Sequence, residues 1–152
     1  MAPIISTIDI GRPPEEVFAY TTDPSRFPEW QFDVVSVRFD DADPRGVGSR
    51  FMTTRRVGRM QRTTTQEITR IDAPRKWAAR TVGGPFCLLA EVTVEPIGDG
   101  QRSRVTLSLD FTGRGLGSLL VLAIRRMAAK EAPKSARNLK ERLESRGRGA
   151  AA

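Results

Sequence analysis

The chain has no histidine and one cysteine among 152 residues, so any chemistry it performs rests on carboxylates, guanidinium groups and hydroxyls. Ser-His-Asp and Cys-His catalysis, a histidine general base and the common zinc sites all fall away, because each needs imidazole or several thiolates. Cys87 reads as outward on its strand or covered by a loop, and is assigned no chemistry. With no second cysteine, no intramolecular disulfide can form. No metal and no cofactor are expected. Arg55 is the first candidate, in the run Phe51-Met52-Thr53-Thr54-Arg55-Arg56-Val57. If Phe51 and Val57 face a core, strict alternation brings Thr53 and Arg55 in with them. A buried guanidinium then needs a carboxylate, or an anionic or carbonyl-bearing ligand. Glu67, on the following strand, is a candidate mate. Read the other way, Arg55, Arg56, Arg59 and Arg62 form a basic hairpin tip in solvent. Glu131 falls on the apolar stripe of a C-terminal helix. It is either held in a cavity with a raised pKa, fit for proton transfer, or exposed and paired with Lys134 or Arg137.

The elements that position these groups follow from periodicity. Ile4 to Ile10 alternates as a first strand. Pro13-Pro14-Glu15-Glu16 opens a short helix, since proline suits the first turn and carboxylates suit the positive end of the dipole. Asp23-Pro24-Ser25-Arg26-Phe27-Pro28-Glu29-Trp30 breaks it and adds a second, shorter turn. Strand two carries Val35, Val37 and Phe39, and the polar stretch Asp40 to Gly46 is a loop. Strand three runs from Ser49 to Val57 and strand four from Met60 to Asp72, with Gly58 between them. Ile68 and Ile71 lie on opposite faces of strand four under strict alternation, which leaves its inward face open, and a bulge at Gly58 or at Thr63 to Thr65 would flip the assignment. Strand five is Lys76 to Val82, with Trp77 and Thr81 on one face. Strand six is Phe86 to Glu95. After the Gly98-Asp99-Gly100 turn, strand seven alternates Val105, Leu107, Leu109 and Phe111 inward.

From Leu116 to Ser145 the period becomes helical, and Leu116, Leu120, Ala123, Ile124, Met127, Leu139 and Leu143 trace one stripe. Pro133 inside it predicts a kink near Glu131. Residues 1–146 read as one domain and 147–152 as a frayed tail.

The formal net charge of +7 is concentrated. Nine basic residues and three glutamates fall between residues 125 and 148, which reads as the solvated outer face of the helix, with at most weak contact with anionic membranes. No specific nucleic-acid contact is expected, since no recognition motif accompanies the charge. The opening Met-Ala-Pro-Ile-Ile-Ser lacks the basic and apolar regions of a secretory signal, so a cytoplasmic protein is expected, as monomer or homodimer.

The stretches Glu15-Glu16-Val17-Phe18-Ala19-Tyr20, Phe27-Pro28-Glu29-Trp30, Gly46-x-Gly48-Ser49-Arg50-Phe51 and Asn138-Leu139-Lys140-x-x-Leu143-Glu144, in this element order, resemble the START-like superfamily, in particular bacterial polyketide cyclase/dehydrase and lipid-transport proteins. The resemblance implies an α+β helix-grip fold: a curved antiparallel sheet of six or seven strands around a long C-terminal helix, with two short helices after strand one. One helix cannot fill the hollow of so curved a sheet, so a cavity for a small hydrophobic or aromatic molecule is implied. The expected walls are Trp30, Phe39, Phe51, Trp77, Leu88, Leu107, Leu120 and Met127, with Thr53 and Thr81 beside them. Tyr20 either presents its phenol to the pocket or lies half-exposed. The implied activity is cofactor-independent cyclisation or dehydration, with Arg55 polarising a carbonyl and Glu67 or Glu131 moving a proton. The alternative is a lipid or small-molecule carrier that leaves its ligand unaltered, or a regulatory ligand-binding protein.

Overall fold

A computed structural model describes residues 2–40, 46–113 and 115–151, with side chains to Gly147. The elements are β1 (Ile4–Ile10), α1 (Pro14–Thr21), a 3-10 turn (Pro24–Arg26), α2 (Phe27–Trp30), β2 (Val34–Phe39), β3 (Arg50–Val57), β4 (Met60–Asp72), β5 (Lys76–Val82), β6 (Phe86–Ile97), β7 (Arg102–Gly113) and α3 (Gly117–Ala151). Most of the loop expected at Asp40 to Gly46 lies outside the described residues.

All strand pairs are antiparallel, in the order β1-β7-β6-β5-β4-β3-β2. Six of the strands, β2 to β7, follow one another in a meander. Only β1 crosses over, to pair with β7. The turn after β3 needs the left-handed backbone that Gly58 supplies at φ 66°, a region costly for residues with a Cβ. The expected helix-grip architecture is what the chain adopts.

Local capping sets the short helices at the sheet's open side. Pro13, in extended conformation, precedes α1, and Glu15 and Glu16 occupy its first turn. The Asp23 carboxylate accepts from the Ser25 N–H at 3.1 Å and turns the chain into α2.

The helix packs along β1, β7 and β6. It stays helical across Pro133 and on through Gly147 to Ala151, beyond where fraying was expected. At Gly147 a Cβ would meet Arg12 Nη1 at 2.5 Å, so glycine there lets the Arg12 side chain lie across the helix. Two positions of the expected stripe are corrected. Leu116 lies in the turn before α3 and is 87 % exposed, and Ala123 is exposed because the helix face that meets the sheet runs through Val121, Ala136, Leu139 and Leu143.

The bulge in β4 falls between Ile68 and Arg70, and not at Gly58 or Thr63 to Thr65. The extra residue returns Ile71 to the face of Ile68, opposite Trp77. There Ile71 lies at the end of the sheet, partly exposed.

The core is in two pieces. One gathers Ile10, Val17, Trp30, Phe51, Trp77 and Leu139 under α1 and α2. The other gathers Phe86, Leu88, Phe111 and Val121 under the start of α3.

Candidate functional site

Between the two core clusters lies a cavity of about 180 Å³, with walls drawn from both. An apolar cavity of roughly 150 Å³ accepts a benzene-sized molecule, so this one has room for one or two rings.

Its polar wall is the β3–β4 hairpin and the turn after α2. On β3 the inward residues are Phe51, Thr53 and Arg55. Across from them on β4 stand Gln66, Thr64 and Arg62, in direct register. The turn from Gln31 to Val34, closed by a Val34 N–H to Gln31 carbonyl bond of 3.1 Å, hangs two side chains over Arg55. Arg55 Nη1 donates to both Asp33 oxygens at 3.1 and 3.0 Å, and Nη2 donates to Gln31 Oε1 at 2.8 Å. The carboxylate mate of Arg55 is therefore Asp33 and not Glu67. Deeper in the same wall, Thr53 Oγ1 donates to Gln66 Oε1 at 2.7 Å. Gln66 is only 4 % exposed, and its amide nitrogen has no partner among the described residues, leaving a donor at the wall.

The opposite wall is apolar. Leu88 on β6, Leu107, Leu109 and Phe111 on β7, and Ile124 and Met127 on α3 line it. Glu131 and Ser135 interrupt it from α3. Glu131 is partly buried in the cavity wall and bridges to Lys134 at 3.6 Å.

Where the walls meet, Trp30, Trp77 and Thr81 contribute. Thr81 Oγ1 accepts from the Leu88 N–H at 3.2 Å, which ties the start of β6 to the end of β5. Phe27 stands edge-on to Trp30 and Trp77 at 6.0 and 6.2 Å, so the aromatic floor is braced before anything binds. Trp30 Nε1 and Thr21 Oγ1, both in residues of the wall, are buried without a hydrogen-bond partner among the described residues. Such orphaned groups each cost about 1–3 kcal/mol.

The remaining sequence candidates lie elsewhere. Glu67 is turned to the outer face of β4, between Arg50 at 3.5 Å and Arg80 at 3.4 Å; one step of strand parity separates it from Gln66. Phe51 is fully buried behind the cavity, and Phe39 packs on it at 6.5 Å. Thr53 reaches the cavity only through Gln66, and Leu120 packs into the second core cluster. Tyr20 is buried away from the cavity, donating to Glu29 Oε1 at 3.0 Å beneath the guanidinium groups of Arg26 and Arg146. Burial, and then the bond to Glu29, push its phenol up to about 12. Sequence reasoning missed Gln31, Asp33, Arg62, Gln66 and Phe86. Buried Ile68 was the available signal, since it carries Gln66, Thr64 and Arg62 inward with it.

Among the described residues, no helix is long and apolar enough to cross a membrane. A search of curated proteins gives no match. Among solved structures, the ZhuI aromatase/cyclase from Streptomyces sp. R1128 is similar with a TM-score of 0.83 and 16% identity, over 97% of this chain and 96% of that one. A START superfamily protein from Mycobacterium smegmatis gives 0.74 at 12% identity, over 95% and 99%. The di-domain ARO/CYC BexL of the BE-7585A biosynthetic pathway gives 0.73 at 17% identity, over 95% of this chain and 47% of that longer one. These likenesses identify the fold as the START helix-grip. The family model for polyketide cyclase / dehydrase and lipid transport proteins matches residues 1–144, and the chain belongs to that family.

Proposed function

We propose that the cavity binds a small hydrophobic or aromatic molecule, polyketide- or lipid-like, and that Arg55 and Glu131 equip it to cyclise or dehydrate that molecule without a cofactor. The observation that carries this reading is Arg55 itself: a guanidinium fixed by Asp33 and Gln31 in the wall of an otherwise largely apolar cavity. Its remaining N–H groups are free to polarise a carbonyl. Glu131, in the facing helix, takes a proton from a carbon between two carbonyls. The carbanion attacks the carbonyl polarised by Arg55, and Glu131 returns the proton to the new alkoxide. Most of the acceleration comes from holding a flexible chain folded on itself, which replaces a large orientational entropy cost. Glu67 has no part in this reading, because it faces away.

The test is turnover of a short poly-β-ketone thioester by the wild type, Arg55→Gln and Glu131→Gln. Product formation that drops at least tenfold in each variant, with affinity retained, supports the assignment. Ligand recovered unaltered from the wild type establishes a carrier instead.

A further inference from the structure

Arg55 and Arg62 stand directly opposite each other on β3 and β4, on the same face, and both line the cavity. Like charges in that relation repel. Arg55 is answered by Asp33. Arg62 has no carboxylate partner among the described residues; its guanidinium lies 5.2 Å over the ring of Phe86, another wall residue. The acids nearby do not balance this end. Asp33 is spent on Arg55, Glu131 is bridged to Lys134, and Glu91 is an exposed residue of β6.

The polar wall is graded. Met60 at the hairpin tip is 74 % exposed, Arg62 is partly buried, and Gln66 is 4 % exposed. Charge therefore sits at the mouth of the cavity, and neutral donors and acceptors lie deeper. Guanidinium groups suit such a place, being weakly hydrated forks that grip carboxylates and phosphates through paired bonds.

We infer that the natural ligand is an amphipathic anion, whose carboxylate or phosphate is held at the mouth by Arg62, while its apolar body lies against Phe86 and Leu88 and Arg55 stays free for the carbonyl. The inference rests on the cavity being a ligand site, and Arg62 is its selectivity residue. An anion there relieves the Arg55–Arg62 repulsion and gives Arg62 the partner the protein withholds. A neutral molecule of the same shape leaves both cations facing each other.

The experiment is isothermal titration of the folded protein with 2-naphthoate, 2-naphthyl phosphate and the near-isosteric neutral 2-naphthalenemethanol. The variants are Arg62→Gln and Arg62→Lys, with Arg126→Gln on the exposed side of α3 as the charge control. The wild type and Arg126→Gln should bind at least one anion about tenfold or more tightly than the alcohol, the size expected of one charge-assisted pair. Arg62→Gln should erase that preference while leaving the alcohol's affinity unchanged, and Arg62→Lys should keep part of it. The ratio of the two anions identifies which oxyanion is preferred. Equal binding of all three by the wild type, or a preference that survives Arg62→Gln, overturns the inference and leaves the cavity as a ligand site. Binding of none of the three overturns both. Should Arg62→Gln not fold, the wild-type preference and Arg62→Lys still decide the question.

Discussion

The two walls of the cavity are made of different material by different means. The polar wall comes from a single hairpin and one adjacent turn, so its groups meet across register-paired strands and through bonds such as Thr53 to Gln66 and Arg55 to Asp33. The apolar wall gathers β6, β7 and α3, and among the described residues its apolar lining side chains make no hydrogen bonds of their own. Its shape depends on close packing. The difference separates two kinds of vulnerability. Damage to the apolar wall should cost stability. Damage to the polar wall should cost selectivity, with a modest stability loss.

The largest effect is expected where the walls join. Trp77 is buried and braced by Phe27 and Phe51 at 6.2 and 6.4 Å, so Trp77→Ala should cost about 3–5 kcal/mol. By calorimetry this is a fall in Tm of about 10 °C. A fall of only a degree or two would mean the walls are held together by something else.

The apolar wall alone is tested at its corner. A Cβ on Gly117 would run into the Pro85 carbonyl, and one on Gly113 would come 2.6 Å from the Gly117 carbonyl. Because backbone atoms are met in both cases, Gly117→Ala should cost about 2–3 kcal/mol, as overpacking does. Chemical denaturation of Gly117→Ala beside Gly83→Ala, where a Cβ meets no atom but the positive φ of 73° is strained, would separate close packing from backbone strain.

The polar wall is sharpened by a mutant cycle. Gln66→Leu strips Thr53 of its acceptor and should cost about 1–2 kcal/mol, since it leaves a buried hydroxyl unpaired. Thr53→Val with Gln66→Leu should recover most of that loss. Strict additivity of the two single changes would show that the wall is not wired through this bond.

Outside both walls, Tyr20 supplies a pH control. Its folded pKa lies above the ordinary value of 10.0, at about 12, so the folded protein holds its proton more tightly than the unfolded chain does. Stability is therefore undiminished below pH 10 and declines as pH rises from about 10 through 12. Urea denaturation at pH 9 and 11 should show this decline in the wild type and a smaller one in Tyr20→Phe. An identical slope in both would assign the alkaline loss to other groups.

Strand and helix positions and several wall side chains were legible in the sequence because each depends on local periodicity, whereas the architecture that joins them came with the family resemblance. Trp77, Thr81, Leu88, Leu107 and Met127 sit where alternation or helical spacing puts them, Trp30 where the family resemblance implied, and all line the cavity. The inward face of β3, with Thr53 and Arg55, was read correctly for the same reason. Glu67 was misplaced because parity in β4 hinges on where one extra residue is inserted, and side-chain pattern does not locate a bulge when Ile68 and Ile71 compete. Asp33 was missed as the mate of Arg55 because the two are joined across 22 residues by a turn, a geometry no periodicity encodes. Tyr20 could not be placed because its position depends on Arg146, 126 residues later in the chain.

The crossover of β1 onto β7 has a consequence for how the molecule is assembled in time. Asp9 grips Arg104 at 2.8 Å across 95 residues of sequence, and closing so long a loop is entropically disfavoured until the intervening chain has condensed. At 5–20 residues per second, about 5–20 s of synthesis separate the emergence of these two partners. During that interval β1 has its alternating isoleucines and no strand beside it. The meander from β2 to β6 forms from neighbours, with no need to wait. The helix docks on β1 and β7, so it too must follow. The ligand space is thus the last feature of the molecule to come into being, closed by its first strand and its final helix together.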